Sequence, residues 1–141
     1  MQVFLLAQCL SLFFGNGKIT VANKAKAKGT SFEVSVRDYL INKGFIHAHR
    51  PALSGGNDTG DINGIARKSP IRKVAIQCKN QKAFQLSQWL NDTVEQADRL
   101  GGAVPVLVVK RPGKGEKALG DSYVVMRLED LTDLLDEAGY Q

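Results

Sequence analysis

Asp61, Gln77 and Lys79 are the side chains whose types and spacing could do chemistry. Asp61 follows a stretch of small and polar residues, SGGNDTG at 54–60, and Gln77 and Lys79 close an otherwise apolar run, VAIQCK at 74–79. Residues two apart on a strand point to the same face, so the amide and the ammonium project together. With a carboxylate beside them they offer what water needs to cleave a phosphodiester. Oxygen ligands hold a hard cation, and magnesium accepts few carboxylates because it keeps several waters. The cation lowers the pKa of a bound water, and a nearby ammonium offsets charge that builds in the transition state. Glu33 can add a second carboxylate. Plainer readings stand beside these. Asp61 after Gly60 also suits a turn, Gln77 and Lys79 also suit a solvated strand face, and Thr30 to Glu33 (TSFE) also matches a capping box. His47 and His49 share a strand face but lack a third ligand, which favours packing or a nucleic-acid-facing role. Trp89 lies on an apolar helix face and reads as core.

The elements that must position these groups follow from periodicity. Thr30 or Ser31 caps a helix in which Phe32, Val36, Tyr39 and Leu40 recur at helical spacing, with Gly44 as its stop. Residues 45–49 read as a short strand and 50–60 as a loop rich in Gly, Pro, Ser and Asn. Residues 61–66 and 73–79 read as strands joined by the turn RKSP, a hairpin that would set Asp61 alongside Gln77. Leu86, Trp89, Leu90, Val94, Ala97 and Leu100 mark a helix stopped by Gly101 and Gly102. Residues 103–109 form an unbroken apolar run, as in a strand covered on both faces. A strand at 122–128 and an acidic helix at 129–138 complete the order α-β-β-β-α-β-β-α. The expected class is α/β, a mixed β-sheet flanked by helices.

The chain has 141 residues, enough for one domain, and a formal net charge of +5. The charge is uneven. Residues 18–50 carry seven Lys or Arg against Glu33 and Asp38, and residues 67–82 carry six with no acid. Glu129, Asp130, Asp133, Asp136 and Glu137 crowd the end. Basic runs beside a candidate site point to a polyanion, most simply nucleic acid, or to a merely solvated surface. Two cysteines, Cys9 and Cys78, exclude a disulfide framework or a zinc cluster and suit the cytoplasm. The apolar run VFLLAQCLSLFF at 3–14 is short for a bilayer span and lacks a basic flank ahead of it. We expect residues 1–21 to be an extension from a start codon placed too early, with Val21 an alternative start. The folded domain is expected at 22–141, its first residues, 22–29, forming a flexible basic arm, with no association with a membrane.

The segments KGTSFE at 28–33, RPALSGG at 50–56, GDI at 60–62 and IQCK at 76–79 resemble, in order and spacing, the PD-(D/E)xK nuclease superfamily, and within it the archaeal-type Holliday-junction resolvases. That resemblance covers residues from about 28 to 111 and implies a restriction-endonuclease-like fold. By position it implies that Asp61 is the central metal-binding aspartate, Lys79 the motif lysine and Glu33 the glutamate of the first helix. It further implies a serine near the scissile phosphate at Ser54 and a phosphate contact at Arg50. Gln77 departs from the pattern, for it is neutral where an acid is usual, so metal affinity should be lower unless Glu33 or Asp58 compensates. The implied function is a Mg2+-dependent DNA endonuclease, with Mn2+ as a substitute, acting as a homodimer on a four-way junction. The alternatives are a restriction- or repair-type nuclease acting on duplex DNA, and an inactive nucleic-acid-binding module. DNA would be gripped by the arm (Lys24, Lys26, Lys28) and by the basic turn (Arg67, Lys68, Arg72, Lys73). A dimer would use the helix at 86–100 or the strand at 103–109. The compact form suits a phage-encoded protein working in the host cytoplasm.

Overall fold

The computed structural model describes residues 17–53 and 55–141. A four-stranded mixed sheet has the order β1-β2-β3-β4, with β1 Ile62–Lys68, β2 Ile71–Lys79, β3 Val104–Val109 and β4 Tyr123–Val125. β1 and β2 form the expected antiparallel hairpin, β2 and β3 run parallel, and β4 returns antiparallel to β3. The α/β class and the mixed sheet flanked by helices are therefore as the periodicity indicates.

Helix α1, Gly17–Asn42, covers one face, and its Phe32 and Val36 pack with Ile62, Ile76, Cys78 and Val108. Helix α2, Leu86–Arg99, covers the other. Its Ala97 packs on Ala75 and Ala103, and its Trp89 on Leu107 and Val109. This follows from the alternation of strand side chains: Val74, Ile76 and Cys78 face α1, whereas Ala75, Gln77 and Lys79 face α2. Helix α3, Leu128–Glu137, returns to the hairpin, where Arg67 and Arg72 pair with its Glu137, and Arg72 also with Asp133 at 3.3 Å.

Several expectations are corrected. The basic arm at 22–29 is helical, and residues 21–28 lie exposed along the first half of α1. Ala and Lys are strong helix formers, and one Gly29 costs only about 1 kcal/mol, so the helix runs through Thr30 and Ser31, where a cap was expected. The capping-box reading of Glu33 falls with that cap. The strand expected at 45–49 reduces to a single bridge, His49 to Asn63, because Phe45 N–H turns back to Leu40 O at 3.0 Å and Ala48 N–H to Phe45 O at 2.9 Å. A 3-10 helix at Glu116–Asp121, absent from the expected order, lies between β3 and β4. The segments nominated for a dimer contact are consumed within the protomer: β3 is a central strand, and the apolar face of α2 lies on the sheet.

Candidate active site

Asp61 sits one residue before β1. Extending the pairing of Ile62 with Ile76 sets it opposite Gln77. Its N–H donates to Ile76 O at 2.8 Å, and its carboxylate Oδ2 accepts from Cys78 N–H at 2.7 Å. The side chain thus stands in for the next rung of the ladder, just where the β1 backbone departs. Gly60 makes this approach feasible. It has φ +97°, and a Cβ there would lie 3.0 Å from Ile76 O, so a side chain would push the 60–61 peptide off β2. Gly64 plays the same part further along, where a Cβ would run into the His47 carbonyl.

Burial pushes the Asp61 carboxyl up from 3.8 to about 6. The Cys78 N–H opposes the rise, and Glu33 adds to it. Lys79 lowers it and Asp58 raises it. Burial also holds the Cys78 thiol well above its usual range, which makes it a packing group rather than a nucleophile. Gln77 is only 8 % exposed, and its Oε1 has no hydrogen-bond partner. A buried carbonyl oxygen without a donor calls for a partner, which a bound cation or a water would supply.

Glu33 and Arg50 meet one another, Arg50 Nη2 lying 2.7 Å from Glu33 Oε2. The carboxylate expected to aid the metal and the guanidinium expected to contact phosphate thus neutralise each other in the free protein. They line, with Lys26, Asp58 and Asp61, a groove of about 410 Å³. Gln77 and Lys79 are not on its walls. Ser54 lies outside the described residues.

Asp58, weighed from sequence as a compensating ligand, is held as a loop anchor. Its Oδ1 accepts from Gly60 N–H at 3.0 Å, its Oδ2 from Gln96 Nε2 at 2.7 Å, and its backbone O from Arg99 Nη1 at 3.2 Å. Gln96 and Arg99 were missed by the sequence reading. The usable signal was a glutamine inside the buried stripe of α2, Trp89, Thr93, Gln96 and Ala97, where an amide needs a partner. His49 turns its Nδ1 to His47 O at 3.0 Å, so the two histidines do not converge as a pair.

Among the described residues no group of three or more His, Cys, Asp or Glu side chains is arranged to hold a metal ion. The smaller set at the site is the Asp61 carboxylate, whose charge burial disfavours, and the Oε1 of Gln77, which, like that of Gln96, is buried without a donor. That set suits a hard ion that keeps most of its water, as magnesium does.

Of the expected DNA contacts, Lys24, Lys26 and Lys28 lie on the exposed part of α1, and Lys26 reaches the groove. Arg67 and Arg72 are committed to α3. They and the exposed Lys68 and Lys73 sit at the hairpin tip, roughly 20 Å from Asp61 at a strand rise of about 3.3 Å per residue. No helix among the described residues is long and apolar enough to cross a membrane. In comparisons with known proteins, the family model described as "Phage putative PDDEXK endonuclease" matches residues 24–141. No curated protein and no solved structure matches the chain.

Proposed function

The chain belongs to the phage PDDEXK endonuclease family, and we propose that it is a divalent-metal-dependent DNA endonuclease that resolves four-way junctions as a homodimer in the host cytoplasm. What supports the metal site is a carboxyl pushed up to about 6 at Asp61, next in register to a buried Gln77 whose Oε1 has no hydrogen-bond partner. Asp61 and Gln77 would hold Mg2+, or Mn2+ in its place, and the ion would supply a hydroxide-like water and positive charge at the phosphate. Glu33 joins them if Arg50 is drawn to a DNA phosphate, which frees the carboxylate. Lys79, which eases the charge on Asp61, stabilises the negative charge of the cleaved phosphate. Ser54 is proposed to contact that phosphate. The grip of Lys24, Lys26 and Lys28 on backbone phosphates carries little sequence information, as suits a reader of DNA shape.

A second reading, a module that binds DNA without cutting, draws on the neutral Gln77 and on the Glu33–Arg50 pair. The test is a labelled four-way junction and a matched duplex, each with magnesium and with chelator. Paired nicks in the junction alone, lost in Asp61→Ala, are expected. Equal cutting of both substrates assigns a general nuclease, and retention without cutting, unchanged in Asp61→Ala, assigns the binding module.

A further inference from the structure

A second groove, of about 450 Å³, opens where β2 and β3 end. Because the two strands run parallel, both chains leave the sheet at the same end, so residues 80–82 and 110–114 gather there with α1 alongside. The fold makes this corner positive. Lys28, Lys82, Lys110, Arg111 and Lys114 line it, and no acid does. Asn80 ties its floor to α1 by donating to Lys28 O at 3.4 Å, and Lys110 N–H donates to Lys79 O at 2.9 Å. The one ion pair at these lysines among the described residues joins Lys114 to Asp121, from outside the groove, at 2.8 Å.

Aromatic rings continue the groove. Arg111 lies over Tyr123, 5.7 Å from the ring centroid, and Tyr123 meets Phe84 edge-on, with centroids 6.1 Å apart. Both rings keep substantial exposure, 41 % for Tyr123 and 39 % for Phe84. Phe84 in turn leans on the buried Trp89, 6.2 Å between centroids, so the exposed pair stands on a rigid base. The two rings thus stay partly open to water, and Tyr123 lies under Arg111, one of the five cations of the groove. Cations tracking a phosphate backbone next to aromatic faces are the arrangement that holds single-stranded nucleic acid. A duplex offers the phosphates but hides the faces of its bases.

We propose that this groove is a binding site for single-stranded DNA, with backbone phosphates on Lys28, Lys82 and Lys110 and a base stacked at Tyr123 and Phe84. Lys79 ends β2 at the groove's edge, so an unpaired strand held here leads to the candidate active site. The inference concerns binding and does not require the cleavage proposed above.

The test is fluorescence anisotropy of the full chain with a labelled oligothymidine and with a duplex of equal length, both in chelator across a salt series. Tyr123→Leu, which keeps an apolar side chain but not the ring, should weaken the single strand about tenfold. Tyr123→Phe should restore it, and duplex binding should move in neither variant. Replacing Lys82 and Lys110 by Ala should lower the single-strand salt slope by about 0.7 for each lysine. Asp61→Ala, which should fail to cut in the magnesium assay above, should bind the strand here as wild type does, which separates failure of this site from failure of the nuclease reading. No binding of oligothymidine, an equal loss on duplex in Tyr123→Leu, or loss of the strand in Asp61→Ala would each overturn the proposal.

Discussion

The Asp61 carboxyl is held in conflict. Burial and the neighbouring Glu33 oppose its charge, while the Cys78 N–H and Lys79 favour it. The consequence for stability has a definite sign. A group whose pKa rises on folding, here from 3.8 to about 6, contributes stability that is full below about pH 4 and is lost as pH climbs through about 6. Asp61→Asn keeps an oxygen for Cys78 N–H and has nothing to titrate. Thermal melts in chelator should show variant and wild type close at pH 4, with the variant more stable at pH 7.5 by on the order of 2 kcal/mol. A cation that settles on the carboxylate removes the conflict. Magnesium at pH 7.5 should therefore raise the wild-type melting temperature and leave Asp61→Asn unmoved. A variant with no advantage at high pH would refute the raised carboxyl pKa, and one with the same magnesium response would remove Asp61 from the metal site.

At the scale of elements, the precision of the site comes from Gly60 and from α2. Gly60→Ala would carry two penalties, a left-handed φ of +97° and a Cβ against Ile76 O, whereas Gly55→Ala, at φ +56° in open space, carries only the first. Each left-handed alanine costs about 1–2 kcal/mol. Gly60→Ala should cost more and also shrink the magnesium-induced melting shift, because Asp61 moves with it. Gly55→Ala should leave that shift intact, and equal shifts in both variants would refute the positioning role of Gly60. The sequence made the hairpin and its pairing legible, because Asp61 and the alternation of Val74 to Lys79 are local patterns. It concealed what depends on distant partners. Residue types do not reveal that Arg50 pairs with Glu33, that Gln96 reaches Asp58, or that Arg67 and Arg72 are taken by Glu137 at the far end of the chain. The basic turn therefore read as a DNA contact, while in the fold its arginines fasten α3. The arm was misread because its small, basic composition was taken for flexibility, although Ala and Lys are strong helix formers.

At the scale of the molecule, the acidic C-terminal helix takes up Arg67 and Arg72 at the hairpin tip, and a second, larger group of cations lies at the opposite end of the sheet. There the exposed lysines of α1 and the groove at the ends of β2 and β3 flank the candidate site. A polyanion steered by that field arrives at one end of the sheet. One protomer offers one such end, and a four-way junction needs two opposed cuts. The junction resolution proposed above would therefore require two copies related by a two-fold axis, each with its own Asp61. Mixing wild type with Asp61→Ala at fixed total protein tests this directly, provided the copies exchange. If paired cuts need two competent copies, they should fall as the square of the wild-type fraction, to about a quarter at equal mixture, while single nicks accumulate. A linear fall, to about half, would mean that each protomer acts alone, and the junction would then be no more than one of several substrates met by a monomeric nuclease.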